Sequence, residues 1–185
     1  MARTPSLMVD LGTIAPSFEL KDVVTGQKRS TKQLAGERGL LVMFICRHCP
    51  FVKHIQGELA RLGCDYQGKG IGIAAISSND AESYPDDGPA SLKEQAEQEG
   101  FTFPYLYDET QEVAKAYQAV CTPDFFLFDK SLALVYRGQL DDSRPGNEVP
   151  VTGRDLRGAL DALLAGESIS QEQKASLGCN IKWKE

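Results

Sequence analysis

The sequence lacks a hydrophobic run long enough to cross a membrane, and residues 1–12 lack the apolar segment of a secretory signal. Positive charge is also scarce, because 20 Lys and Arg residues stand against 26 Asp and Glu residues, for a net charge of −6. Nucleic acids and anionic membranes are bound mainly through Lys and Arg. We therefore expect neither of them as a partner, and we expect a cytoplasmic protein.

Cysteine is present but shows no evenly spaced secreted framework. The chain has five cysteines, an odd number, so at least one stays unpaired within a monomer. They are Cys46, Cys49, Cys64, Cys121 and Cys179. In a reducing compartment, a Cys-x-x-Cys pair such as Cys46 and Cys49 is more often catalytic or metal-binding than structural.

The composition is that of an ordinary globular protein. Apolar residues make up 42% and charged residues 25% of the 185 residues, and no segment has the composition of a linker. We expect one domain over residues 1–185, with an N-terminal extension over 1–35 and a polar C-terminal tail over 167–185.

Two continuous apolar runs, 39–45 and 70–77, are typical of strands buried on both faces of a sheet. Between them, apolar residues of 51–64 follow the helical repeat, which predicts a parallel βαβ unit. The other predicted elements are an N-terminal hairpin with a turn near Gly26, helices over 90–99, 111–117 and 154–164, and strands over 101–107, 125–128 and 133–137.

The segment Cys46-Arg47-His48-Cys49-Pro50 lies where the first buried strand gives way to the helix. The unpaired amides of a helix start favour a thiolate, and this spacing lets two sulfurs form a disulfide or share a metal. We predict Cys46, Cys49 and His48 as the catalytic residues. Cys46 is expected nearest to solvent and first to ionise, beside Arg47 and a protonated His48, whereas Cys49 resolves the mixed disulfide.

The order of these elements, with Tyr117-Gln118-Ala119-Val120-Cys121-Thr122-Pro123 before an apolar strand, resembles the thioredoxin superfamily. The resemblance implies an α/β thioredoxin-like fold, with a central mixed sheet flanked by helices. It also implies that Pro123 follows a cis peptide bond and that its loop faces the dithiol. Cys121, Thr122 and Pro123 are the substrate-binding residues that it implies.

The N-terminal region more narrowly resembles the opening of the alkyl hydroperoxide reductase and thiol-specific antioxidant family, the peroxiredoxin-like branch. The resemblance rests on Gly12, Ala15, Pro16, Phe18, Leu20, Asp22 and Gly26. It implies an insertion between the dithiol helix and the cis-proline loop. Residues 49–54 and 178–183 are similar to an uncharacterised subgroup that has a Cys-x-x-Cys. With Cys49 laid on the peroxidatic cysteine, however, Val42, Cys46 and Pro123 replace the Pro, the Thr or Ser, and the Arg of peroxiredoxins.

Three functions remain open. The leading hypothesis is a thiol–disulfide oxidoreductase, which acts on a protein or small-molecule disulfide or thiol and needs an external electron donor but no cofactor or metal. The alternative is a thiol peroxidase that uses Cys49 or Cys46. The third is a soft metal site formed by Cys46, Cys49 and Cys121, with His48 as an additional ligand.

Other reactive side chains have simpler interpretations. Cys64 is expected in the core at the end of the helix. Cys179 is expected to be an unpaired cysteine of the tail, and an extra resolving thiol is the alternative. Asp80, Asp86 and Asp87 are expected to be carboxylates of a polar loop.

Overall fold

The computed structural model describes residues 3–185, so the first two residues of the predicted N-terminal extension lie outside it. In chain order the elements are β1 Arg3–Pro5, β2 Glu19–Asp22, β3 Lys28–Ser30, α1 Thr31–Leu34, β4 Gly39–Phe44, α2 Pro50–Tyr66, β5 Ile71–Ser77, α3 Pro89–Glu99, β6 Tyr105–Tyr107, α4 Glu112–Tyr117, β7 Cys121–Thr122, β8 Asp124–Asp129, β9 Leu134–Gly138, α5 Arg154–Ala165 and β10 Leu177–Asn180. None of the described helices combines the length and the apolar character needed to cross a membrane.

Within residues 3–185, seven strands form a central mixed sheet in the order β3-β2-β6-β5-β4-β8-β9. The predicted βαβ unit is present, because β4 and β5 pair in parallel and α2 connects them. On its other side β4 pairs antiparallel with β8, which forms the predicted hairpin with β9. Helices α2, α3 and α5 contribute to the core on one face of the sheet, and α1 and α4 to the core on the other. The expected thioredoxin-like fold is therefore confirmed.

Strand β4 lies in the interior of this sheet, between β5 and β8, and all six of its residues are buried. Successive side chains of a strand point to opposite faces, so Leu41 and Met43 join one core cluster and Leu40 and Val42 join the other. This is why the run is apolar throughout instead of alternating with polar residues. The strand directs the chain that follows it, including Cys46, to the edge where the parallel strands end.

Helix α2 is amphipathic, as its spacing predicts, and buries Val52, Ile55, Leu59 and Leu62. The prediction for Cys64 was wrong, because this residue is exposed. It lies two positions beyond Leu62, which is about 200° around the helix and therefore on the solvent side.

The tail forms a strand that its polar composition did not predict. Strand β10 pairs with β1 and with β7, and these three strands form a second small sheet. A β-carbon added to Gly178 in β10 would lie 1.9 Å from the carbonyl oxygen of Thr122. The tail therefore packs with its backbone directly against the loop that contains Pro123.

We expect the Gly178→Ala substitution to destabilise the fold by about 1–3 kcal/mol, the usual cost of forcing an added methyl group into packed atoms. The free energy of unfolding in urea measures this change. Gly57→Ala is the matched control, because Gly57 lies on the exposed side of α2 with no atom within 4 Å of an added β-carbon. It should stabilise the protein by about 0.5–1 kcal/mol. Equal stability of Gly178→Ala and the wild type would contradict the packing of β10 on Thr122.

Candidate active site

The site lies at the junction between β4 and α2. Strand β4 ends at Phe44, and α2 begins at Pro50, with Cys49 as its N-cap residue in an extended conformation. Proline suits the first helical position because its missing N–H would have no helical acceptor there. Cys46 precedes the helix by four residues and lies in the connecting turn instead of in the first helical turn.

The sulfur of Cys49 is the centre of a cluster of three thiols. It lies 2.8 Å from the sulfur of Cys179, and the thiol of Cys46 also donates to it. Donation by these two thiols lowers the pKa of Cys49 well below that of an ordinary thiol, and the backbone amide of Val52 in the first helical turn adds to the effect. These donors outweigh burial, which acts in the opposite direction. Cys49 is therefore the thiol that ionises first.

The expectation that Cys46 is exposed and ionises first was wrong. Cys46 is 1% exposed, and its pKa is raised by burial, by its hydrogen bond to Cys49 and by the negative charge of Asp87. The Thr122 hydroxyl, 3.3 Å from the Cys46 sulfur, opposes this shift only in part.

The groups that were expected to stabilise a Cys46 thiolate have other partners. The backbone amides of Arg47 and His48 donate to one carboxylate oxygen of Asp87, over 2.8 Å and 3.0 Å. The guanidinium of Arg47 forms an ion pair with Glu94 at 2.6 Å. Because these charges and dipoles are already paired with Asp87 and Glu94, they do not lower the pKa of Cys46, and Cys49 remains the more acidic thiol.

Asp87 is a buried carboxylate of this site that the sequence analysis did not assign to it. It is fully buried, and its second oxygen is hydrogen-bonded to the His48 ring and accepts a 2.8 Å hydrogen bond from the Asn79 amide. Burial alone would raise the pKa of Asp87, but the hydrogen bonds from His48 and Asn79 lower it overall. The interpretation of Asp87 as an ordinary loop carboxylate was therefore wrong. Its position in a polar loop gave no local signal, because its partners lie at least eight residues away.

His48 lies between Asp87 and Tyr84. Its ring stacks on Tyr84, with centroids 5.4 Å apart and an interplanar angle of 13°. The Nε2 atom is buried and has no hydrogen-bond partner among the described residues. One ring nitrogen, a carboxylate oxygen of Asp87 and the sulfur of Cys46 all lie within 4.8 Å of one another. The His48 ring therefore lies beside both Asp87 and the Cys46 sulfur.

The same three side chains are the ones that could hold a metal ion in this part of the chain. Sulfur, imidazole and carboxylate are all ligands of Zn²⁺, whose structural sites have four such ligands. The set differs from the one expected from sequence, because Asp87 belongs to it and Cys49 and Cys121 do not.

The predicted cis peptide bond between Thr122 and Pro123 is present. The Thr122 carbonyl oxygen lies 3.2 Å from the Cys49 sulfur, so this loop faces the dithiol as expected. Cys121 is also buried, but its sulfur has the Pro123 carbonyl oxygen, at 3.8 Å, as its hydrogen-bond acceptor. Burial raises the pKa of the Cys121 thiol, and the charge of Asp124 raises it further.

Cys179 is placed by the strand that the sequence analysis missed. In the register of β10 it lies opposite Arg3 on one side and Thr122 on the other. Its hydrogen bond to Cys49 and its burial raise the pKa of Cys179, so it stays protonated and donates to the Cys49 thiolate. Cys179 is unpaired, as expected, but it is buried and its sulfur contacts that of Cys49. The small and apolar residues at Gly178, Cys179 and Ile181 were the available signal within the polar tail.

Known proteins resemble the chain over most or all of its length. A solved structure of an uncharacterized conserved protein from Geobacillus kaustophilus is 56% identical, with a TM-score of 0.98 over 100% of this chain and 97% of that one. A hypothetical protein from Sinorhizobium meliloti 1021 is 46% identical, with a TM-score of 0.95 over 98% of each chain. The thiol-disulfide oxidoreductase ResA of Geobacillus thermodenitrificans (strain NG80-2) is 28% identical over 131 residues, which are 69% of this chain and 68% of that protein.

The family model described as the AhpC/TSA family matches residues 11–137, a region that contains the Cys-x-x-Cys, Asp87 and the cis-proline loop. That region is more than two thirds of the chain. The chain therefore belongs to the AhpC/TSA family and is a thioredoxin-like redox protein.

Proposed function

We propose that this protein is a thiol–disulfide oxidoreductase in which Cys46 and Cys49 exchange with the disulfide of a protein or a small molecule. The observation that carries the proposal is the setting of Cys49, whose sulfur lies at the start of α2 with two thiols as hydrogen-bond donors. The thiolate is the nucleophile in disulfide exchange, so the residue that ionises first is the one that attacks. This reverses the roles that the sequence analysis assigned to the two cysteines.

In the first step the Cys49 thiolate attacks one sulfur of the substrate disulfide. A mixed disulfide forms, and the other substrate sulfur leaves as a thiolate that takes up a proton. Cys46 then loses its proton and attacks the Cys49 sulfur, which expels the second substrate thiolate. The substrate gains two electrons and two protons, and Cys46 and Cys49 become a disulfide. An external electron donor of the dithiol type restores the reduced pair.

His48 handles the proton of Cys46 in this scheme. Its ring nitrogen, the Asp87 carboxylate and the Cys46 sulfur lie within 4.8 Å of one another. Asp87 holds the ring through a hydrogen bond and also anchors the turn through the amides of Arg47 and His48. We assign His48 as the acid–base residue and Asp87 as the residue that positions it.

The substrate is expected to approach along the loop of Cys121, Thr122 and Pro123. Both Thr122 oxygens already lie within 3.3 Å of the dithiol sulfurs, one at Cys46 and one at Cys49. The sulfurs themselves are at most 1% exposed, so substrate entry requires a local displacement of the groups that cover them. Tyr84, which stacks on His48, is 39% exposed. The cytoplasmic location stays a prediction that rests on the sequence, which has no predicted secretory signal or membrane-crossing run.

A thiol peroxidase is the second candidate, and the same thiolate favours it. If Cys49 is laid on the peroxidatic cysteine, that residue is also the first of the cluster to ionise. Against it, Pro123 and Cys46 occupy positions where peroxiredoxins have an Arg and a Thr or Ser, which orient peroxide. Rapid sulfenate formation at Cys49 with micromolar peroxide is the property that distinguishes a peroxidase from the proposed oxidoreductase.

The attacking cysteine can be identified with single substitutions and glutathione disulfide as the substrate. Cys49→Ser should slow the release of the first glutathione at least ~100-fold, because the nucleophile is removed. Cys46→Ser should retain this first step. Cys64→Ser is the matched control, because this thiol is exposed and outside the cluster, and it should behave as the wild type. The opposite pattern, loss in Cys46→Ser and retention in Cys49→Ser, would assign the attack to Cys46.

The low pKa of Cys49 gives a prediction for the pH dependence of alkylation by iodoacetamide. An ordinary thiol, with a pKa of about 8.5, loses reactivity about tenfold for each pH unit below that value. Cys49 is already a thiolate, so its rate should change by less than about twofold between pH 5 and pH 8. Peptide-resolved mass spectrometry measures the rate at each cysteine, with exposed Cys64 as an internal reference. A tenfold fall per pH unit at Cys49 would refute the assignment.

Asp87→Asn tests the positioning role of the buried carboxylate. Removing its charge should lower the pKa of Cys46, since that charge raises it, so alkylation of Cys46 should shift to lower pH. Turnover should fall about tenfold because His48 is no longer held. Asp86→Asn is the matched control, as the neighbouring Asp86 is exposed. A lower melting temperature with an unchanged pH profile of Cys46 would limit Asp87 to a structural role.

A further inference from the structure

The reaction described above leaves one member of the thiol cluster unused. The sulfur of Cys179 lies 2.8 Å from the sulfur of Cys49, and both residues are buried. We propose that Cys179 is a second resolving thiol, which forms a disulfide with Cys49 and leaves Cys46 reduced. This inference rests on the proposed function, because it needs Cys49 to form a disulfide with a substrate or with Cys46.

The backbone fixes Cys179 at this place from both sides. The residue pairs with Thr122 across the β10–β7 ladder, beside Gly178, whose missing β-carbon allows the strand to lie on the Thr122 carbonyl. Before it, the Ser176 hydroxyl donates to the Pro123 carbonyl at 2.7 Å. After it, the amide of Ile181 donates to the Val120 carbonyl at 2.9 Å. The contact between the two sulfurs is therefore set by strand pairing and does not depend on a flexible tail.

The other two cysteines lack this geometry. Cys64 is exposed on the far side of α2. Cys121 is buried one residue before Thr122, but its sulfur is directed to the Pro123 carbonyl oxygen. Successive side chains of a strand alternate between faces, so Cys121 and Thr122 point to opposite sides of β7. Among the described cysteines, Cys46 and Cys179 are the two whose thiols contact the sulfur of Cys49.

The chemistry balances without a further oxidant. In one route, Cys179 loses its proton and attacks the Cys49 sulfur of the mixed disulfide, so that the substrate thiolate leaves and takes the proton. In the other, Cys179 attacks Cys49 within the Cys46–Cys49 disulfide, and Cys46 leaves as a thiolate that receives the proton from Cys179. One S–S bond breaks and one forms, so the second route is an exchange with no net oxidation. Cys49 is the shared sulfur in both disulfides.

A hydrogen-bonded chain connects this strand to the catalytic turn. The amide of Lys182 donates to the Asn79 side-chain oxygen, and the Asn79 amide donates to Asp87, each over 2.8 Å. The Lys182 charge also favours the thiolate of Cys179. Strand β10, which carries Cys179, is thus linked through Asn79 to Asp87, the residue that holds His48. Both resolving thiols, Cys46 and Cys179, therefore keep a defined position relative to Cys49.

The test uses glutathione disulfide as the probe and full-length protein carrying Cys64→Ser, which removes the exposed thiol. Cys46→Ser is compared with Cys46→Ser/Cys179→Ser after the samples are quenched in acid and their intact masses measured. Cys46→Ser should lose its glutathione adduct at least ~10-fold faster than the double variant, as expected for an intramolecular thiol held in contact with the mixed disulfide. The product should be two hydrogens lighter than the reduced protein. Peptide mapping should locate its disulfide at Cys49 and Cys179.

Three outcomes would overturn the inference. An adduct that is equally long-lived in both variants excludes Cys179 as a resolving thiol, while formation of the adduct itself leaves the proposed function standing. A disulfide between Cys49 and Cys121 would show that Cys121, and not Cys179, is the second resolving thiol. Absence of any adduct in Cys46→Ser and of any disulfide in the oxidised wild type would remove the proposed function and this inference together. Because Cys179→Ser can disturb β10, oxidised wild-type protein is also mapped, and it should contain a fraction of the Cys49–Cys179 disulfide.

Discussion

The anionic sulfur of Cys49 is the point on which the rest of the site depends. A thiolate removed from solvent is costly unless donors surround it, and here the donors are two neighbouring thiols and an amide of the first helical turn. Each donor comes from a different part of the fold: the turn after β4, strand β10 and the start of α2. The charge is therefore stabilised by tertiary structure, and any change that separates these three elements also changes the chemistry of the sulfur.

The second organising group is the buried carboxylate of Asp87, which helps to keep Cys46 in the turn after β4 protonated. It accepts hydrogen bonds from the amides of Arg47 and His48, so these dipoles are not available to Cys46, and its own charge raises the pKa of Cys46. Burial, the hydrogen bond to Cys49 and this carboxylate all raise the pKa of Cys46, whereas the thiol donors lower the pKa of Cys49. Such a division suits exchange chemistry, because the first thiol must attack as an anion while the second keeps its proton until the mixed disulfide has formed.

The chain belongs to the AhpC/TSA family but differs from peroxiredoxins at positions around Cys49. The AhpC/TSA match covers the sheet, the dithiol and the cis-proline loop, whereas β10 lies outside residues 11–137. In place of the hydroxyl and guanidinium that orient peroxide, this chain has the thiol of Cys46 and the ring of Pro123. The sulfur at the start of the helix therefore has two other sulfurs as neighbours, and this arrangement is the basis of the proposed disulfide exchange.

The sequence by itself determined the elements whose pattern is local. Periodicity and helix-start chemistry predict the apolar run of β4, the helical repeat of α2 and the placement of Cys46 and Cys49 between them. Only the tertiary structure decided which sulfur is acidic, because the donors and charges that set the pKa of Cys49 and Cys46 include Cys179 and Asp87, 130 and 41 residues away from them respectively. The same reason explains β10, whose few apolar residues make a strand only when β1 and β7 lie on either side of it.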